Sequence, residues 1–194
     1  MKRLLITGFE PFGGESINPS WEAVLRLPDE INGYEIIKLC IPVVFEKAAD
    51  MVVQMAENVD PSVIISIGQA GGRAAITPEL VGINLRNPSI PDNEGNLPLD
   101  EKILPNGDDA HFSTLPVRKM ADAIKNVGIP ALVSYSAGAY VCNDVLYTLL
   151  SRYKSTDKRI CFIHIPYCPE QNKEPSMSID DAVKGIITAI ENID

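Results

Sequence analysis

The sequence predicts an α/β protein, a three-layer α/β/α sandwich around a mostly parallel, twisted central sheet. Three observations carry this. Short β-branched and aliphatic runs alternate with helical patterns along most of the 194 residues. Those runs are apolar throughout, as expected of strands covered on both faces. The composition, 45% hydrophobic and 22% charged, is that of a packed globular chain. Strand and helix in alternation form βαβ units, whose crossovers place helices on both sides of a parallel sheet. The length suits one domain, residues 1–194, with a sizeable core. No repeat, low-complexity tract or linker divides it.

Taken in order, residues 3–7 (RLLIT) read as a strand, followed by a Gly-rich loop at 8–14 (GFEPFGG). Residues 19–27 read as a helix, with Asn18 as cap and Pro19 at the first helical position, where its missing N–H is not needed. Residues 34–41 (YEIIKLCI) form a strand, 46–58 a helix and 62–67 (SVIISI) a strand. Residues 88–110 hold four prolines among turn formers and are too long for a routine connection, so they are a functional loop or an oligomer contact. A helix at 116–126 begins on a proline after Leu115. Residues 131–134 (ALVS) make a short strand, 140–153 a helix and 160–165 (ICFIHI) a strand. The last helix, 179–193, carries Ile179, Ala182, Val183, Ile186, Ile187 and Ile190 on one face.

Charge and composition exclude several functions. Seventeen basic against 26 acidic residues give a net charge of −9, and no basic cluster exceeds two adjacent residues. Neither nucleic acid nor an anionic membrane surface is an expected partner. Only three strongly apolar residues follow Met1-Lys2-Arg3 before Thr7-Gly8, too few for a signal-peptide core, and no run approaches a membrane span, so the reading is cytosolic. Four cysteines lie far apart without C-x-x-C spacing, and there are two histidines, so neither disulfides nor a metal site is expected.

Residues 68–73 (GQAGGR) follow a strand but match neither the dinucleotide fingerprint nor a P-loop. One reading is a tight turn; the functional one has its backbone amides and Gln69 lining a pocket at the carboxyl end of the sheet, where open α/β folds bind ligands. Phe9 and Phe12 are unusual in the connection after the first strand of so aromatic-poor a chain. They are either core residues or the walls of an apolar slot for a flat, uncharged group.

Cys142 stands where a helix should start, so the helix dipole and free amides are expected to favour its thiolate and suit it as a nucleophile. The alternative, a buried structural cysteine, is assigned to Cys40 and Cys161, and Cys168 receives no role. His164 sits near the end of an apolar strand, either as a core residue or on the same rim as Cys142. Glu79 is a single acid in an apolar stretch and needs a partner if buried. His111, beside Asp108 and Asp109, is read as exposed. Together Cys142, His164 and Glu79 offer a nucleophile, a base and a group to orient it.

Five segments in order, 8–14 (GFEPFGG) with Asn18-Pro19, 68–73 (GQAGGR) with 76–79 (ITPE), 90–95 (IPDNEG), 136–143 (SAGAYVCN) and 162–166 (FIHIP), resemble the pyroglutamyl peptidase I (pyrrolidone-carboxylate peptidase) family over nearly the whole chain. The resemblance implies a cytosolic cysteine peptidase of α/β/α fold that removes N-terminal pyroglutamate from peptides, as a homotetramer without metal or cofactor. It places the nucleophile on Cys142, the general base on His164 and the third triad member on Glu79. The aromatic residues matching Phe9 and Phe12 line the family's lactam pocket, with Gln69 nearby. Many members carry Arg just before the Ile-Pro-Asp-Asn segment; this chain has Ser89.

The chemistry agrees. Pyroglutamate is a neutral five-membered lactam that needs an apolar slot and a few hydrogen bonds rather than carboxylates or a metal. A pocket pairing both its polar groups would reject proline, which lacks the ring carbonyl. Two other readings remain open: a phosphorylase- or hydrolase-like enzyme acting on a nucleoside or another small amide, and a catalytically silent lactam-binding protein.

Overall fold

The computed structural model describes residues 1–194. The elements run β1 (Lys2–Phe9), α1 (Pro19–Leu25), β2 (Glu30–Ile31), β3 (Tyr34–Ile41), α2 (Lys47–Val59), β4 (Val63–Gln69), β5 (Thr77–Glu79), β6 (Val81–Ile83), β7 (Ala110–Phe112), α3 (Val117–Asn126), α4 (Val141–Arg152), β8 (Arg159–Ile165) and α5 (Ile179–Glu191). A 3-10 turn, Pro169–Gln171, precedes α5. Six strands form one sheet in the order β2-β3-β1-β4-β8-β5, and β6 pairs with β7 in a separate ribbon. The four central strands are parallel, while the edge strands β2 and β5 are antiparallel to their neighbours. The architecture is the expected mostly parallel α/β/α sandwich.

Alternation along the strands assigns each side chain to a layer. Leu4, Ile6, Val63, Ile65, Ile67, Cys161, Ile163 and Ile165 pack under α1, α3 and α5. Leu5, Phe9, Ile64, Ile160 and Phe162 pack under α2 and α4. His164 has the parity of Ile160 and Phe162, so strand period alone turns it toward the layer that holds α4 and Cys142.

Several local expectations need correction. Residues 131–134 form no strand: Ala131 and Ser134 make only isolated bridges, to Ile76 and Glu79. Pro116 caps α3 rather than opening it, and no side chain caps that helix. β5 was not expected because Pro78 lies inside it; an edge strand tolerates proline, which has no N–H to give a further neighbour. β2, β6 and β7 are two or three residues long, too short for a period to register. Asn18 caps α1 as expected, accepting from Ser20 N at 3.1 Å.

Candidate active site

Three chain segments meet at the carboxyl ends of β4 and β8. β8 delivers His164, 4% exposed, and its antiparallel neighbour β5 delivers Glu79, fully buried. His164 Nδ1 lies 2.7 Å from Glu79 Oε1. The same oxygen accepts Arg73 Nη1 at 2.6 Å. Arg73 also donates to Thr77 Oγ1 at 2.7 Å and to the Ser136 carbonyl at 3.1 Å, tying the turn after β4 to β5 and to the loop that leads into α4.

Two cationic or N–H partners on one carboxylate decide its state. Burial alone would raise the Glu79 carboxyl, but the hydrogen bond and charge of His164, with further help from Ser134 and Arg73, hold it below the usual range. His164 moves down from 6.5 because burial disfavours the imidazolium and Arg73 repels it, and these outweigh Glu79. The pair at neutral pH is therefore a carboxylate and a neutral imidazole whose Nδ1–H donates to Glu79, leaving Nε2 with a lone pair. Glu79 Oε2 accepts no hydrogen bond.

Cys142 is the second residue of α4, half-buried. The helix has no side-chain cap, unlike α1 and α5, so its first amides keep no acceptor of their own. Two buried polar residues fix this first turn. Asn143 accepts from Ile83 N at 2.9 Å and donates to the Ile83 and Leu85 carbonyls at 2.9 and 3.0 Å. Asp144 accepts from Arg86 Nε at 2.7 Å and Glu46 N at 2.9 Å.

The expected thiolate is not what this environment favours. Burial, followed by the negative charge of Glu79, pushes the Cys142 thiol up to about 12, and Arg73 and its own amide only partly offset this. Desolvation and a nearby carboxylate outweigh the Arg73 charge and the one backbone amide. No hydrogen bond joins its sulfur to the imidazole, yet the two are neighbours through β4: Gly68 pairs with His164 across the sheet, and a Cβ on Gly68 would lie 3.0 Å from Cys142 Sγ.

That Cβ would also meet the Phe162 ring at 2.7 Å, and Phe162 is fully buried. Gly68→Ala is therefore expected to lower stability by about 1–3 kcal/mol, because the overpacked ring has nowhere to go. It should also cut turnover by displacing the sulfur. Urea unfolding and steady-state rates measure the two effects.

Cys142 lines a narrow cavity of about 30 Å³ together with Phe9, Phe12, Asn18, Val43, Gln69 and Tyr140. Phe9 serves both readings, since it is 2% exposed in the core and also walls the cavity. Phe12 packs on Tyr140, with centroids 6.2 Å apart. Larger cavities of about 340, 710 and 550 Å³ lie elsewhere, but none is lined by a thiol or an imidazole. Of the 68–73 turn only Gln69 reaches the cavity; Gly71 lies instead under the Tyr167 hydroxyl.

The start of the proline-rich loop buttresses the cavity walls. Asn93 donates to the Pro11 and Val43 carbonyls, Tyr140 Oη donates to the Pro91 carbonyl at 3.1 Å, and Asp92 accepts from Phe45 N at 3.0 Å. Ser89 is exposed, and Arg86, the next arginine back, is bound to Asp144 and Glu46 rather than lining the cavity.

All four cysteines are free. Cys161 is buried as expected; Cys40 is only half-buried, its thiol pushed up to about 11 by burial and Glu10. Cys168 is buried beside Gln171. His111 is not the exposed residue expected: it is half-buried, its ring 5.2 Å from that of Tyr147, which draws it off the surface. No group of three or more His, Cys, Asp or Glu side chains is placed to hold a metal ion. No helix is long and apolar enough to cross a membrane.

Sequence reasoning missed Arg73, Asn143, Asp144, Asn18, Val43 and Tyr140. Arg73 and Asn143 sat inside motifs that were noticed for other residues, whereas nothing in the sequence marks Val43.

An α/β/α sandwich with a thiol, an imidazole and a carboxylate near one rim of its sheet suits a hydrolase. The family model for pyroglutamyl peptidase matches residues 2–194. The pyrrolidone-carboxylate peptidase of Lactobacillus helveticus is 49% identical, over 97% of this chain and 97% of that protein. Its counterpart in Thermosipho africanus is 48% identical, over 98% and 96%. The crystal structure of Bacillus amyloliquefaciens pyroglutamyl peptidase I superposes with a TM-score of 0.95 at 44% identity, covering 100% of this chain and 97% of that one. Pyrrolidone carboxyl peptidase from Thermococcus litoralis gives 0.95 at 36%, covering 100% and 93%. The chain belongs to the pyroglutamyl peptidase family.

Proposed function

We propose that the protein is a cysteine exopeptidase that hydrolyses the amide bond after an N-terminal pyroglutamate, with Cys142 as nucleophile, His164 as general base and Glu79 as the group that orients it. The observation that carries this reading is the 2.7 Å contact between His164 Nδ1 and Glu79. It commits the Nδ1 proton to the carboxylate and leaves Nε2 free to accept one, on the face of the sheet that carries Cys142.

The resting pair is a neutral thiol and a neutral imidazole. As Sγ attacks the pyroglutamyl carbonyl, its proton passes to His164 Nε2, and the uncapped amides of α4 receive the developing oxyanion. The imidazolium, countered by Glu79, then protonates the departing amine. His164 next takes a proton from water as it attacks the thioester, and returning that proton to sulfur restores the thiol.

Phe9 and Phe12 form the walls for the lactam, and Gln69 supplies a polar contact. Incubation with fluorogenic pyroglutamyl, prolyl and alanyl amides tests the reading: release from the first alone supports it, and no release by folded protein defeats it.

The pH profile follows from the two groups. With His164 below 6.5, kcat/KM should rise through an inflection on the acid side of 6.5 and then stay level. The thiol is pushed up to about 12, so no second rise should appear through the mildly alkaline range. A rate that climbs continuously between about pH 7 and pH 9 would mean that a thiolate, not the neutral pair, starts the reaction.

The same reading has the chain act as one domain in the cytosol, as a homotetramer, without metal or cofactor. Light scattering on the purified protein measures the oligomeric state.

A further inference from the structure

We propose that Gln171 is a positioning residue that sets the polarity of the lactam site, holding Gln69 so that its amide nitrogen, and not its oxygen, is free for the ligand. The inference rests on the reading of the cavity as a lactam pocket.

The backbone N–H of Cys168 can only donate, and it lies 3.1 Å from one end of the Gln171 side chain. That end is therefore Oε1, and the other is the NH2 group. Gln171 Nε2 in turn lies 2.9 Å from Gln69, so the Gln69 atom it meets must be the acceptor, Oε1. Gln171 is 8% exposed, which leaves the relay little room to rearrange. Gln69 Nε2 makes no hydrogen bond within the protein.

The other side-chain amide and the hydroxyl around the cavity are each anchored to the protein. Asn18 donates to the Glu10 carbonyl and accepts from Ser20 N and Oγ, and the Tyr140 hydroxyl donates to Pro91. Gln69 Nε2 is thus the one side-chain amide nitrogen among the cavity's lining residues that makes no hydrogen bond, Asn18 Nδ2 being tied to the Glu10 carbonyl. Such a site selects a ring that presents an acceptor, as a lactam carbonyl does, and disfavours one that presents a donor there, since two N–H groups would face each other with water excluded.

Replacing Gln171 by glutamate keeps an acceptor for Cys168 N–H but presents a second oxygen to Gln69, and also to Glu15, whose carboxylate the Gln171 amide otherwise faces. Gln69 must then turn its NH2 toward Glu and its oxygen toward the cavity. Replacing Gln171 by methionine removes the relay without adding charge, leaving Gln69 free to take either orientation.

The test compares competitive inhibition constants for 2-pyrrolidone, which offers a ring carbonyl, and 2-iminopyrrolidine, an amidine that is protonated at neutral pH and offers only N–H in its place, so the readout is the change of their ratio between variants. Wild type should favour 2-pyrrolidone. Gln171→Glu should weaken 2-pyrrolidone by about tenfold, the size of one hydrogen bond lost against an opposed dipole, and reverse the preference. Gln171→Met should move the ratio in the same direction by less, which separates orientation from the added charge. Melting curves of both variants verify the fold, and the methionine variant carries the test if the glutamate one does not fold.

An unchanged inhibitor ratio in folded Gln171→Met would overturn the proposal. Failure of wild type to cleave a pyroglutamyl amide or to bind 2-pyrrolidone would instead overturn the lactam reading beneath it.

Discussion

Cys142→Ala is expected to abolish turnover of a pyroglutamyl amide, by roughly 10⁴-fold or more, since no other group in the cavity can form the covalent intermediate. Its fold should survive. Cys142 is half-buried and its sulfur bonds no other residue, while the first turn of α4 is held by its neighbours Asn143 and Asp144. Removing the sulfur should therefore shift the melting temperature little. Cys142→Ser should be nearly as inactive, because a hydroxyl is a far weaker nucleophile beside the same base. Progress curves set against melting curves separate chemistry from unfolding, and appreciable activity in the alanine variant would refute the assignment.

His164→Ala is expected to lower kcat/KM by about 10³-fold or more, because the proton of a thiol near about 12 then has no acceptor. Glu79→Gln should cost less, about ten- to a hundredfold, since the amide oxygen can still accept from His164 Nδ1. The two changes should differ in more than size. Without the carboxylate, the imidazolium formed during the reaction loses its counter-charge, so the acid limb of the pH profile in Glu79→Gln should move further to acid. A Glu79→Gln variant as inactive as His164→Ala, yet folded, would mean that the carboxylate does more than orient the ring and balance its charge.

How much of this was legible in the sequence depended on whether a residue's partner was local. The parallel strands announced themselves because burial on both faces makes each one a continuous apolar run, and the place of His164 near the end of its strand already put it on the rim with Cys142, although not on a given face of the sheet. That Glu79 required a partner was likewise readable from its apolar surroundings. The identity of one of those partners was not: Arg73 lies in a glycine-rich turn and reaches Glu79 only once β5 has folded back against β8.

The thiol's ionisation was misread for the same reason. Its place at a helix start is a local fact visible in sequence. Its burial and its exposure to the Glu79 charge depend on the whole sheet edge. The proline-rich loop could not be assigned to the pocket either, because Asn93 and Asp92 bond to backbone groups of Pro11, Val43 and Phe45, far away along the chain.

The account stands or falls on Cys142 being the group that attacks a pyroglutamyl carbonyl. Pyroglutamyl chloromethyl ketone presents that carbonyl with an alkylating carbon beside it, and peptide mapping by mass spectrometry locates the sulfur it captures. The account predicts loss of activity in step with one equivalent of label, all of it on Cys142, slowed by 2-pyrrolidone and absent in Cys142→Ala. Inactivation with the label on Cys40, Cys161 or Cys168, or full activity with Cys142 labelled, would contradict it.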